Sequence, residues 1–181
     1  MSTSKIIEGI KKGDFDRAEL FRIRENAKTQ LDKGKLDAKS VIDAIDQATP
    51  SDGHFVFMGF CPGADFKNRL DIEWKKKRIC RFDFTQSEHQ LRRFNEICTG
   101  DLVILKKREK FGETMRLFGH GRVSGVAYDE DQRRYLLMDW SKQAEEIEVP
   151  LMACNSTVDV KSIEQVSKEM PEVFFNWLKT V

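Results

Sequence analysis

The chain has 181 residues, of which 40% are hydrophobic and 34% charged, enough apolar side chains for a globular core. Lys plus Arg number 31 and Asp plus Glu 30, a net charge of +1, which excludes a polycation that coats any polyanion but leaves room for a local basic face. No apolar run approaches the roughly 18 residues of a membrane span, and the start, Met1-Ser2-Thr3-Ser4-Lys5, has no signal-like apolar stretch, so a cytoplasmic protein without membrane attachment is expected.

The chain opens with helical patterns. Ile6, Ile7 and Ile10 mark the apolar side of a short helix from Ser4 to Lys12. Asp16 with Glu19 three residues on is a capping box, and Leu20, Ile23, Ala27 and Leu31 follow at helical steps until Gly34. Asp37 caps a third helix striped by Val41, Ile45 and Ala48, which Pro50-Ser51-Asp52-Gly53 ends. Helices this short bury little alone, so residues 1–52 are expected to dock on the rest of the chain or on a partner.

The pattern changes at His54. His54 to Phe60 is rich in aromatic and β-branched residues and predicts a buried strand. Asp65 to Asp71 is polar and irregular. Ile79 to Phe84 alternates and predicts a second strand. Thr85-x-x-Glu88 predicts a capped helix from Ser87 to Cys98 with Leu91, Phe94 and Ile97 inward. Gly100-Asp101 then leads into the strand Leu102 to Leu105. Lys106 to Glu113 is a charged hairpin, Arg116 to Val123 a strand whose glycines suggest a bend, Tyr135 to Trp140 another strand and Ile147 to Pro150 an edge strand. After Asn155 helical spacing returns in Ile163, Val166 and Met170, and Pro171 opens a last helix with Phe174, Trp177 and Leu178 on one side.

These elements predict an α+β chain. A helical appendage occupies residues 1–52, and a small β-barrel with an inserted helix and C-terminal helices occupies 53–181. Cys61, Cys80, Cys98 and Cys154 form no C-x-x-C pair and read as reduced, buried thiols. No P-loop and no metal-ligand spacing is present. Cys98 and His89, nine residues apart, are not neighbours on a helix. A non-catalytic protein without a cofactor is expected.

Charge is unevenly spread. Residues 53–140 hold seventeen basic and thirteen acidic side chains, and within them residues 66–122 hold fifteen and eight. The cations cluster at Lys75-Lys76-Lys77-Arg78 with Arg81, at Arg92-Arg93, and at Lys106-Lys107-Arg108 with Lys110. Such clusters suit a phosphate backbone, and equally a solvated surface of mixed charge. Trp74, directly before the first cluster, adds an aromatic that can stack on a base.

The order of elements carries a resemblance. A helix leads into Gly100-Asp101-Leu102-Val103-Ile104. A charged hairpin follows, then Phe118-Gly119-His120-Gly121-Arg122-Val123, with Tyr128 beyond and Leu137-Met138-Asp139-Trp140 last. Over roughly residues 54–150 this resembles the PUA-like superfamily, its EVE and YTH branch, and the related recognition domains of modification-dependent restriction proteins. The resemblance implies a barrel that binds DNA or RNA, often by taking a modified base into an aromatic pocket. Carried onto this chain, it implies stacking by Trp74, Phe82 and Trp140, a base-edge contact from Asp83, and phosphate contacts from Arg78, Arg81 and Arg122; Lys75, in the cationic cluster beside Trp74, is expected to hold phosphate irrespective of sequence. His120, between two glycines, reads either as a ligand contact or as an ordinary barrel residue. The second expectation is a protein-interaction module of a larger defence or regulatory complex, docking through its N-terminal helices. A small-molecule enzyme is the third.

Overall fold

The computed structural model describes residues 2–48, 50, 53–62, 66–82, 87–110, 112–142 and 145–179. Three helices come first: α1 (Thr3–Lys12), α2 (Arg17–Asp32) and α3 (Ala38–Asp46). The Asp16 capping box forms as expected, with Glu19 N donating to Asp16 Oδ1 at 2.8 Å and Asp16 N to Glu19 Oε2 at 3.1 Å. Asp37 makes no capping bond and instead accepts from Thr3 Oγ1 at 2.8 Å, tying α1 to α3. Ile10, Leu20, Ala27, Val41 and Ile45 form a core of their own between these helices.

The remainder runs β1 (His54–Gly59), α4 (Asp71–Lys77), β2 (Ile79–Arg81), α5 (Glu88–Asn95), β3 (Leu102–Arg108), β4 (Thr114–Tyr128), β5 (Arg134–Trp140), β6 (Ile147–Pro150), β7 (Val158–Ser162), α6 (Ile163–Glu169) and α7 (Glu172–Lys179). The strands form one mixed sheet in the order β2-β5-β4-β3-β1-β7, with β6 beside the first part of β4. Among the described residues only β1 and β3 pair in parallel, from Phe55 opposite Leu102 to Gly59 opposite Lys106. Both strands are buried on both faces, which is why they read as unbroken apolar runs. Val56, Met58, Val103 and Leu105 face one core, and Phe57 and Ile104 face the other, beneath α6 and α7.

The architecture is α+β, as expected, but the sheet does not close into a barrel. β7 and β2 end it, and α5 fills the seam where they would meet. Gln90 of α5 accepts from Val158 N at 2.7 Å, and Phe94 stacks on Phe82 with centroids 5.7 Å apart. Curvature comes from β4, which pairs with β6 over Thr114–Leu117 and with β5 over Gly121–Tyr128. At the change of partner the register skips Phe118, placing it toward the first core while His120 faces α7.

Three details depart from expectation. The stretch around Trp74 is a short helix, α4, whose end at Arg78 takes a left-handed φ of 56°. Val158–Ser162, absent from the expected elements, is an added strand, because Val158 and Asp159 are buried on the flank of β1. Leu91 is exposed, while Phe94 and Ile97 are buried as expected; Ser87 caps α5 at Gln90 N, and the expected cap Thr85 lies outside the described residues.

The helical layer is bolted to the sheet by buried charge. Arg17 donates to His54 Nδ1 at 3.0 Å, to Glu96 O at 2.6 Å and to Asp101. Arg24, 4% exposed, pairs with Asp46 at 2.9 Å and donates to Tyr128, whose hydroxyl donates to Asp46 at 2.8 Å. Asp101 also accepts from His54 N at 3.1 Å and Cys98 N at 2.8 Å, so it links the starts of β1 and β3 to the helices.

Candidate nucleic-acid interface

Side chains expected to line an aromatic pocket are mostly in the core. Trp74 is 3% exposed and packs, with Phe82, among the residues beneath the sheet. Buried rings of this kind offer no open face to a base. Trp140 is half-buried and lies across Gly121, where an added Cβ would meet its ring at 2.7 Å. The three aromatics share one cluster, but as packing. Asp83 lies outside the described residues.

The expected phosphate contacts are largely engaged within the molecule. Lys75 Nζ donates to Phe118 O at 2.8 Å, and burial lowers its pKa. Arg78 pairs with Asp139. Arg81 pairs with Asp129 and lies over the Tyr135 ring at 5.5 Å. Arg122 is exposed and donates to Gly100 O at 2.7 Å. His120 is buried edge-on against Trp177, with centroids 4.7 Å apart, on the face opposite Trp74. Burial lowers its pKa, and its Nε2 has no hydrogen-bond partner among the described residues, so it serves as a neutral core ring.

A different site lies at the carboxyl ends of the parallel pair, where open sheets commonly hold ligands. Gly59, Phe60 and Cys61 leave β1 there, and Lys106 to Glu109 end β3. Asn155, Ser156 and Thr157 close the third side of a cavity of about 360 Å³. The wall is fixed by a buried lysine. Lys106 Nζ donates to Ser156 O at 2.7 Å, to Asp159 Oδ2 at 2.9 Å and to Cys154 O. All three ammonium protons are thus matched to acceptors, which offsets the burial that pushes this amine's pKa down. Asp159 also accepts from Ser156 N at 3.0 Å and Arg93 Nη1 at 3.2 Å, and Gly59 N donates to Thr157 O at 2.7 Å.

Beside the cavity, three phenyl rings gather: Phe60, Phe66 and Phe118. Lys107 Nζ lies 4.4 Å from the Phe66 centroid, and Arg69 covers all three rings. Lys107 and Arg108 line the cavity, and exposed Lys110 follows at the end of the hairpin. Lys107 and Arg108 stand in the cationic cluster noted from sequence. Phe60 and Phe66 carried no such signal, because only the fold brings them beside Phe118.

A wider hollow of about 870 Å³ flanks β7, but its cations, Arg17, Arg93, Lys161 and Lys168, are balanced by Glu96, Asp159, Glu164 and Glu169. Among the described residues no group of three or more His, Cys, Asp or Glu is placed to hold a metal ion, and no helix is long and apolar enough to cross a membrane. Comparison with protein-family models, with curated proteins and with solved structures finds no match.

Proposed function

We propose that the chain is a non-catalytic nucleic-acid-binding module of PUA-like type, taking one nucleotide at the carboxyl ends of β1 and β3. The observation that carries this reading is the cavity itself. Its volume of about 360 Å³ suits one small ligand, its walls are polar at Asn155 to Thr157, and Lys107 and Arg108 stand at its rim. Cations there would hold phosphates while Phe66, the half-buried ring beside Lys107, offers stacking surface. Trp74, Phe82 and Trp140 support the site from beneath rather than touching the base. A modified base remains the sharper form of the reading, consistent with the EVE and YTH resemblance.

The helical layer favours a second role alongside the first. Arg17 and Arg24 fasten it near the starts of β1 and β3, roughly 16 Å along the strands from the cavity. A protein partner on α1–α3 would therefore leave the cavity open. The test is fluorescence anisotropy with modified and unmodified, single- and double-stranded DNA and RNA at two salt concentrations. Binding that weakens with salt supports the reading; no binding of any oligonucleotide at low salt overturns it.

A further inference from the structure

Where the helical layer meets the sheet, a small cavity of about 20 Å³ lies among buried charges, with room for one water-sized occupant. Arg17 and Arg24 of α2 and Asp46 of α3 line one side. Glu96 and Cys98, just after α5, and Arg134, at the start of β5, line the other.

Two of these guanidiniums are incompletely satisfied. Arg24, 4% exposed, spends its terminal nitrogens on Asn95 O at 3.3 Å, on Asp46 Oδ1 at 2.9 Å and on the Tyr128 hydroxyl. Arg134 donates from Nη1 to Phe94 O at 2.7 Å and from Nη2 to Ile97 O. The Nε–H of each is buried and has no acceptor among the described residues. A buried donor without an acceptor is costly, and more so on a charged group.

The charge is unmatched as well. Arg17 pairs with Asp101, and Glu96 faces Arg92 at 3.4 Å. Among the described residues no carboxylate pairs directly with Arg134, so Arg24 and Arg134 share the single charge of Asp46. Burial, and then the nearby Arg24, push the Arg134 pKa down to about 10, which leaves it a cation at neutral pH. Cys98 does not supply the missing anion, because burial pushes its thiol up to about 11.

These groups select the chemistry of an occupant: small, negatively charged and a pure acceptor. Water fits the volume but brings two protons of its own, and the carbonyls at this end of α5 are already engaged. Phe94 O accepts from Arg134 and from Ile97 N, and Glu96 O from Arg17 and from the Cys98 thiol. A monatomic halide brings no protons and supplies the charge.

We infer that Arg24 and Arg134 bind one chloride-sized anion through their Nε–H groups, at the junction of the helical layer and the sheet. The site is separate from the cavity at the ends of β1 and β3 and does not rest on the nucleic-acid reading. Because α2 carries Arg24 and β5 carries Arg134, the ion joins the two layers and makes their docking depend on chloride.

The test is urea unfolding of the full chain as chloride rises from about 10 to about 300 mM, with gluconate, too large for the cavity, keeping the ionic strength constant. An ion held only by the folded chain should lower the unfolding constant by at least about threefold over that range. Arg134→Met, which removes the unpaired cation and one Nε donor, should lose the dependence. Lys39→Ala, which removes an exposed cation of α3, should keep it. No dependence in the unaltered chain, or the same dependence in Arg134→Met, overturns the inference. Loss of the dependence in Lys39→Ala also overturns it, by placing the effect in surface charge.

If Arg134→Met does not fold, crystals of the unaltered chain grown in sodium bromide decide. An anomalous bromine peak within hydrogen-bond distance of both Nε atoms supports the site. Bromine peaks elsewhere only, or a water between the two arginines, overturn it.

Discussion

Lys106 and Asp159 form a buried ion pair, Nζ to Oδ2 at 2.9 Å, that holds one wall of the cavity in place. β3 supplies the cation and β7 the anion, so the pair spans β1 and fixes the segment between β6 and β7. Removing one partner strands the other in a water-poor site. Lys106→Met should therefore cost about 3–5 kcal/mol in urea denaturation. The double variant Lys106→Met/Asp159→Asn should cost less than the sum of the single changes. Additive costs would show that the two side chains do not act as a pair.

Arg24 is the corresponding bolt at the other end of the parallel strands. Replacing it with Met leaves the largely buried Asp46 carboxylate without its cation, a loss of about 3–5 kcal/mol. The exchange of α1–α3 amides with deuterium should rise before that of β1 and β3. Uniform exchange across the chain would mean that the helical layer and the sheet open together.

Trp74 separates packing from recognition. As a core residue, Trp74→Ala should lower stability by about 3–5 kcal/mol. Oligonucleotide discrimination, measured well below its melting temperature, should be retained. Selective loss of discrimination with unchanged stability would return this indole to the binding site.

How far the sequence reached can be seen at single residues. Apolar runs and caps announced β1, β3, α2 and α7, because local propensity and tertiary burial agree there. Asp16 and Glu19 are the clearest case. Sequence order could not reveal that α5 would occupy the seam between β7 and β2 and leave the sheet open. β7 escaped notice because Val158-Asp159-Val160-Lys161 places a buried aspartate where an apolar residue would announce a strand; its partner, Lys106, is 53 residues away. Distance along the chain likewise hid the phenyl cluster, in which Phe60 follows β1, Phe66 lies on a connection and Phe118 on a bulge. Trp74 misled for the opposite reason: its neighbours are polar, yet the one inward face of α4 buries it.

Two thiols set an alkaline limit. Burial pushes Cys98 and Cys154 up from the ordinary 9.0 to about 11. The folded chain thus holds these protons longer than the unfolded chain. Their contribution, on the order of 2 kcal/mol each, is complete below pH 9.0 and is lost as the pH rises through about 11. Urea midpoints should fall over that window, and Cys98→Ala/Cys154→Ala should flatten the fall. An equal slope in the double variant would place the titration elsewhere.

The most direct measurement is oligonucleotide affinity against salt concentration for the unaltered chain and for Lys107→Ala/Arg108→Ala. With both cations at the cavity rim, the unaltered chain should bind with a log affinity that falls linearly with log salt. The variant should bind more weakly, with a slope shallower by about 1 to 2. The same affinity and the same slope in both proteins would contradict a binding site at the ends of β1 and β3.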